Sequence, residues 1–88
     1  MKQFLNITNE KGLHARASAK LVEVVEGFNA DALIEHDGQT AAGDSIMGLL
    51  MLAAAKGSTI EVTTSGRDAD ALGSALADLV SNKFGEDA

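Results

Sequence analysis

The feature that most constrains the fold is an alternation of two hydrophobic patterns along a chain of only 88 residues. Alternating apolar and polar residues are typical of strands with one buried face, whereas apolar residues at every third or fourth position are typical of amphipathic helices. Taken in order, the patterns predict β-α-β-β-α-β-α. The predicted elements are strand 1 at residues 3–8, helix 1 at 15–26, a hairpin of 32–36 and 39–42, helix 2 at 45–56, strand 4 at 59–64 and a last helix at 68–85.

Turn and cap residues support these boundaries. Asp37 and Gly38, between the two hairpin strands, suit a type I′ turn. Gly27 is predicted to end helix 1 in a left-handed conformation, and Ser45 and Asp68 are predicted to be the N-caps of the helices that follow them. Residues 86–88 are expected to fray at the end of the last helix.

A chain of this length can form one hydrophobic core, and no proline, internal repeat or low-complexity linker divides it. We therefore expect a single domain over residues 1–88. The simplest arrangement for this order is an α+β fold, in which three helices cover one face of a four-stranded antiparallel sheet. There is no cysteine, so stability must come from packing rather than from disulfides.

Composition excludes several classes of function. Thirteen acidic and seven basic residues give a net charge of -6, and there is no Tyr or Trp, so nucleic acid is not an expected partner. No apolar run approaches the roughly 20 residues that span a bilayer, and the N-terminus does not resemble a signal peptide, which favours the cytoplasm. The two histidines, His14 and His36, lack metal-ligand spacing, so neither a metal nor a cofactor is expected. His36 lies on the apolar side of its strand and is interpreted as a packing residue.

The candidate reactive residue is His14, which lies between strand 1 and helix 1. The unpaired amides and positive dipole of a helix start attract anions, Gly12 permits a sharp turn there, and Arg16 adds a fixed positive charge. In a neutral imidazole one nitrogen can attack phosphorus while the other carries the proton. Phosphoryl transfer mainly needs positioning and charge neutralisation. The residues predicted to bind the phosphate are Gly12, Ala15, Arg16 and Ala17.

The same local pattern leaves a second interpretation open, in which His14 is a surface residue that helps to cap helix 1. A hydrolase is poorly supported because Ser18 and His14 have no obvious acidic residue to orient them as a triad.

Helix 2 is apolar almost all round, which is more than a helix lying on a sheet can bury. At 100° per residue, Leu49, Leu52 and Ala53 share one face. The other face is predicted to be exposed and to dock partner proteins, with a deeper core or a homodimer contact as the alternatives. That predicted docking face consists of Ile46, Met47, Leu50 and Met51.

Two motifs carry a family resemblance. The run from Gly12 through Leu13, His14 and Ala15 to Arg16 resembles the active-site signature of HPr, the histidine-containing phosphocarrier family of the bacterial phosphotransferase system. The run from Asp44 to Leu49 resembles the family's regulatory-serine motif at its expected distance. The length and the order of elements are similar to the open-faced β-sandwich of this family.

The resemblance implies a stoichiometric carrier that acts as a monomer, rather than an enzyme. His14 would accept a phosphoryl group from enzyme I and pass it to an enzyme IIA component, with Arg16 steadying the phosphate. Ile46, Met47 and Leu50 would help to form the docking face of a monomer, and Ser45 would be a target of an HPr kinase/phosphorylase or another regulatory protein.

One position departs from the common motif, since Ala17 stands where most members have proline after the arginine. Proline there preorganises the start of the helix, so alanine is expected to reduce local rigidity without removing the chemistry. This variant is similar to members of the nitrogen-regulatory branch. Two further hypotheses remain: an interaction module of the same fold in which His14 is chemically idle, and a small enzyme that binds an anionic metabolite at residues 12–16.

Overall fold

A four-stranded antiparallel sheet with strand order β1-β4-β2-β3 forms one layer of the protein, and three helices pack on one of its faces. The computed structural model describes all 88 residues. The predicted fold class and order of elements are confirmed. The elements are β1 (Lys2–Asn6), α1 (Ala15–Glu26), β2 (Asp31–His36), β3 (Gln39–Ala42), α2 (Ile46–Met51), β4 (Thr59–Ser65), α3 (Ala69–Ser81) and a 3₁₀ turn at Lys83–Gly85.

The strand pattern decides which face of the sheet the helices cover. Ile34 of β2 lies opposite Val62 of β4, and both side chains are buried under the helices. Their neighbours on the other side of the pleat face solvent, so Phe4 and Leu33 are exposed. The buried face joins the inward faces of the helices in one core of 18 buried hydrophobic residues.

The hairpin turn has the predicted geometry. Asp37 and Gly38 have φ of 52° and 79°, the two positive values that a type I′ turn requires. Strand 1 is shorter than predicted: it ends at Asn6, and Ile7 then exchanges 2.8 Å backbone hydrogen bonds with Gly57 and Ser58.

Helix 2 was predicted to reach Lys56, but α2 ends at Met51. Ala53 takes a left-handed conformation with φ of 51°, which turns the chain away from the helix axis. The next residue, Ala54, is buried, and its carbonyl accepts a 2.8 Å hydrogen bond from the Leu13 amide. Alanines have high helix propensity, so the tertiary contact overrides the local preference here. Lys56 therefore lies outside the helix, and its ammonium forms an ion pair with the Glu10 carboxylate at 3.0 Å.

The last helix was predicted to reach Gly85, but α3 ends at Ser81. Lys83, Phe84 and Gly85 then have φ of 54°, 56° and 78°. A left-handed conformation costs a non-glycine residue roughly 1–2 kcal/mol, so Lys83 and Phe84 together cost about 2–4 kcal/mol. Burying a phenylalanine returns about 2–3 kcal/mol, and Phe84 is fully buried. The Lys20 ammonium also donates a 2.7 Å hydrogen bond to the Phe84 carbonyl. The burial of Phe84 and this hydrogen bond both stabilise the reversal of chain direction after α3.

The cap predictions had mixed outcomes. Ser45 is the N-cap of α2, and its hydroxyl accepts a 3.0 Å hydrogen bond from the Gly48 amide. Asp68 occupies the N-cap position of α3 as predicted but makes no cap hydrogen bond, because its carboxylate accepts the Asn29 amide at 2.9 Å instead. Gly27 has φ of -80°, so the predicted left-handed end of α1 was wrong.

Candidate functional site

His14 is the N-cap residue of α1, with extended backbone angles. The first backbone hydrogen bond of the helix runs from the Ser18 amide to the His14 carbonyl, at 2.8 Å. The amides of Ala15, Arg16 and Ala17 consequently have no backbone acceptor, as expected for the first turn of a helix. Unpaired amides at the positive end of a helix dipole stabilise an anion beside the imidazole ring.

The loop before His14 is held by the segment that follows α2. Gly12 has φ of +62°, and a Cβ on it would lie 2.5 Å from the Ala54 carbonyl oxygen and 2.8 Å from the Ala55 Cα. Only glycine combines this conformation with so close an approach. The neighbouring Leu13 amide bonds to Ala54, and the buried Ser18 hydroxyl donates to the Leu13 carbonyl at 3.3 Å. The backbone that carries His14 is therefore fixed on both sides.

A cleft of about 500 Å³ opens beside the imidazole, and basic side chains of Lys11, Arg16 and Lys20 line it. Lys20 is committed to the Phe84 carbonyl. Arg16 is exposed and forms neither an ion pair nor a side-chain hydrogen bond within the protein. Its guanidinium is therefore available to bind an anion in the cleft with two parallel hydrogen bonds.

An acidic residue from the other end of the chain contacts His14. The Glu86 Oε2 atom accepts a hydrogen bond from His14 Nε2, and its Oε1 atom accepts a 2.9 Å bond from the Asn9 amide group. Asn9 is fully buried and also donates to the Gly12 carbonyl at 2.9 Å. The hydrogen bonds from Asn9 and His14, together with the charges of His14 and Lys11, lower the pKa of the Glu86 carboxyl below its usual value.

Two expectations about this region were wrong. The chain was expected to fray at residues 86–88, but Glu86 is bonded to the site and the Ala88 backbone oxygen accepts a 3.0 Å bond from the Glu10 amide. An orienting acid for His14 was not found in the sequence because it lies 72 positions away. The available signal was Phe84, since an aromatic side chain near the end of so small a protein favours an ordered, buried segment.

The ring nitrogens of His14 differ in their surroundings. A carboxylate only accepts hydrogen bonds, so the ring carries a proton on Nε2 when it is bonded to Glu86. Nδ1 has no hydrogen-bond partner in the protein. In the neutral ring, Nδ1 is therefore the nitrogen with a free electron pair.

The second predicted site lies on α2. Ile46, Met47 and Met51 are 40%, 69% and 74% exposed, while Leu49 is fully buried. Leu50 is half-buried beside them. Ala53, which was predicted to share the buried face with Leu49 and Leu52, is exposed because the helix has already ended. We call Ile46, Met47, Leu50 and Met51 the α2 patch.

Ser45 and His36 lie at the edges of α2. Ser45 is half-buried at the N-cap, directly before the α2 patch. His36 donates a 2.7 Å hydrogen bond from Nδ1 to the Leu52 carbonyl, so it joins the β2–β3 hairpin to the end of α2. No group of three or more His, Cys, Asp or Glu side chains is placed to hold a metal ion. None of the helices is long and apolar enough to cross a membrane.

Comparisons with known proteins agree on one family. Residues 1–82 match the family model described as "PTS HPr component phosphorylation site". Phosphocarrier protein HPr of Neisseria meningitidis is 44% identical over 86 residues, which cover 98% of this chain and 97% of that protein. Phosphocarrier protein NPr of Escherichia coli is 43% identical over 89 aligned positions, covering 99% and 98%.

A solved structure of HPr from Thermoanaerobacter tengcongensis superposes with a TM-score of 0.94 at 32% identity, covering 100% of this chain and 99% of the other. The two proteins therefore agree in fold and in sequence over nearly the whole length of both chains. The similarities to HPr and NPr relatives are nearly equal, so sequence identity does not separate the two kinds of carrier.

Proposed function

The chain belongs to the HPr family of phosphocarrier proteins of the phosphotransferase system, and from this premise we propose that residues 1–88 form one domain that carries a phosphoryl group on His14. In this proposal the group arrives from enzyme I, leaves to an enzyme IIA component, and is steadied by Arg16. The family consists of carriers rather than catalysts, so this chain would be consumed and regenerated as a substrate.

The observation that supports the proposal most is the arrangement of His14 at the start of α1. The imidazole and an unpaired guanidinium line one cleft, and the ring stands at the start of a helix whose first three amides have no backbone acceptor. A phosphoryl group attached to the ring would receive hydrogen bonds from Ala15, Arg16 and Ala17, while Gly12 keeps the loop close to the segment after α2. These contacts neutralise charge on the transferring group, which is the main requirement of a loose phosphoryl-transfer transition state.

The α2 patch is proposed as the docking surface for both partners. Its methionines are flexible and polarisable, which suits a surface that has to fit more than one protein. The segment directly after α2 lies against the loop that carries His14, because Ala54 and Ala55 approach Gly12 and the Ala54 carbonyl accepts from the Leu13 amide. A partner seated on Met47 and Met51 would therefore lie close to the phosphoryl group.

Ser45 is proposed as a regulatory site next to this surface. A phosphate there would add about two negative charges at the edge of the α2 patch. The added charge would oppose docking of any partner that is acidic at that edge. The modification would come from an HPr kinase/phosphorylase or a similar regulatory enzyme, and the relay itself is expected in the cytoplasm of a bacterium, with the carrier acting as a monomer.

The proposal is tested by intact mass after incubation with phosphoenolpyruvate and a bacterial enzyme I. The expected result is one added phosphate that is lost in acid, with no addition to the His14→Ala variant. No addition to the wild type, with an enzyme I that charges a known HPr in the same assay, would instead support a non-catalytic interaction module that docks partners through α2. Separate assays with sugar-branch and nitrogen-branch enzyme I proteins would assign the pathway.

A further inference from the structure

The contact between Glu86 and His14 brings together two residues that are 72 positions apart in the sequence. It depends on the left-handed backbone at Lys83, Phe84 and Gly85, which directs Glu86 towards the cleft. Resting on the proposed function, we propose that Glu86 is a positioning residue for phosphoryl transfer. Its carboxylate keeps the proton on Nε2 of His14 throughout the transfer, so that Nδ1 alone forms and breaks the bond to phosphorus.

The two partners of Glu86 explain why a carboxylate is needed. Asn9 and His14 each present an N–H group, one to each oxygen of the carboxylate. A glutamine at position 86 has one oxygen and one NH₂ group, so it cannot accept from both. Asn9 cannot turn its own oxygen towards Glu86, because its NH₂ group is held by the Gly12 carbonyl as well. The site is therefore complementary to a negatively charged group.

Charge changes during the reaction give this carboxylate a chemical role. When the Nδ1 electron pair forms the bond to phosphorus, the bond from phosphorus to the donor breaks and the donor leaves with that electron pair. The ring then holds both the Nε2 proton and a positive charge, which the Glu86 carboxylate neutralises. In the second transfer a nucleophile of the acceptor forms a bond to phosphorus while the Nδ1–P bond breaks. The electrons of that bond return to Nδ1, and the ring leaves as neutral imidazole with its proton still in place.

The surroundings favour an ionised Glu86 at neutral pH. The hydrogen bonds from Asn9 and His14 hold the pKa of its carboxyl below the ordinary value. Lys11 adds a positive charge. The cleft has two other acidic side chains: Glu10, which is paired with Lys56, and Asp87, which is exposed. Glu86 binds the ring at Nε2 and leaves Nδ1 free for the phosphoryl group. The carboxylate and the phosphate would occupy opposite edges of the ring.

The backbone that carries Glu86 is anchored independently of this contact. Phe84 is fully buried, and its carbonyl is held by Lys20. Further along, the Ala88 backbone oxygen bonds to the Glu10 amide. Substitution of the Glu86 side chain therefore leaves the segment in place and tests the carboxylate itself.

The experiment compares Glu86→Gln with a matched variant, Asp87→Asn, which removes the same charge from an exposed neighbour that has no side-chain hydrogen bond. Single-turnover phosphorylation by enzyme I, donation to an enzyme IIA and the lifetime of the isolated phosphohistidine are measured for each. Glu86→Gln is expected to slow acceptance and donation by about tenfold and to lengthen the lifetime, because the unprotonated phosphorylated ring is a poorer leaving group. Asp87→Asn is expected to be as fast as wild type or slightly faster, and Glu86→Asp to restore part of the rate.

A readout that does not need turnover accompanies these rates. In ¹⁵N NMR spectra of the unphosphorylated protein, the Nε2 proton of His14 is expected to exchange with solvent more slowly in wild type than in Glu86→Gln. Thermal melts of all the variants control for a purely structural effect.

Two results would overturn the proposal while the carrier function stands. One is that the wild type takes up phosphate and Glu86→Gln shows the same rates of acceptance and donation and the same phosphohistidine lifetime. The other is faster uptake by Glu86→Gln than by Asp87→Asn, which would mean that the carboxylate competes with the phosphate. If the wild type takes up no phosphate from an active enzyme I, the carrier function fails and this proposal fails with it.

Discussion

The His14 site and the α2 patch are assembled in opposite ways. The patch consists of four residues within one short helix, and its exposure follows from the geometry of that helix alone. The His14 site combines Asn9, Gly12, the start of α1 and Glu86, which is 72 residues from His14. A surface for recognition can be local, whereas a site that orients a reactive atom requires contacts between distant parts of the chain.

The largest expected effect comes from removing the imidazole of His14, which should affect the His14 site and leave the α2 patch unchanged. His14→Ala is expected to abolish phosphate uptake while leaving binding to enzyme I within about twofold, because His14 is only partly exposed and lies outside the α2 patch. Phosphate uptake is measured by intact mass and binding by calorimetry. A variant that loses binding together with uptake would show that docking and chemistry share His14.

Gly12→Ala tests the long-range support of the site. The new Cβ would overlap the Ala54 carbonyl in a left-handed conformation, so we expect the free energy of unfolding to fall by about 2–4 kcal/mol. Gly38→Ala is the matched control, since Gly38 has φ of +79° but no atom within 4 Å of the added Cβ. It should cost about 1 kcal/mol. Urea unfolding measures both, and equal losses would contradict the role of the Ala54 contact.

Met47→Asp tests the α2 patch. The substitution places a charge on a side chain that is 69% exposed, so the fold should tolerate it. Loss of a central apolar contact should weaken binding to enzyme I by about tenfold or more. Leu33→Asp is the control, because Leu33 is 48% exposed on the uncovered face of the sheet. Equal weakening by both variants would point to a general charge effect, and an unfolded Met47→Asp would show that the helix face is core.

The smallest effect concerns acid stability. The pKa of Glu86 is lowered in the folded protein, so its carboxylate stabilises the fold above its ordinary pKa of 4.5. That contribution is lost as the pH falls below 4.5 through the folded value. The unfolding free energy of wild type should therefore fall more steeply below pH 4.5 than that of Glu86→Gln. Urea unfolding at successive pH values tests this, and parallel curves would contradict it.

The sequence was a good guide wherever the structure depends on neighbours along the chain. The order of elements, the Asp37–Gly38 turn, the Ser45 cap and the exposure of Met47 all follow from local patterns. It was a poor guide at the ends of α2 and α3. In both places a helix-compatible sequence leaves the helix because a later residue is buried: Ala54 against the loop of Gly12, and Phe84 in the core.

The same limit applies to the candidate site. The position of His14 before a helix, together with Gly12 and Arg16, could be predicted from spacing and from the resemblance to HPr. Glu86 could not, because its contact with His14 depends on left-handed conformations at the non-glycine residues Lys83 and Phe84, which local preference disfavours. A candidate reactive residue is recognisable from its sequence neighbours, but the residues that contact it are set by the tertiary fold.

The most direct test of the account is transfer onward from the charged protein. The chain is phosphorylated with labelled phosphoenolpyruvate and enzyme I, separated from both, and mixed with an equal amount of an enzyme IIA component. Label is expected to leave this chain and to appear on the acceptor one for one, with none transferred from His14→Ala. Label that stays on the chain, or that is released as inorganic phosphate without reaching the acceptor, would contradict the proposal that the protein is a phosphoryl carrier.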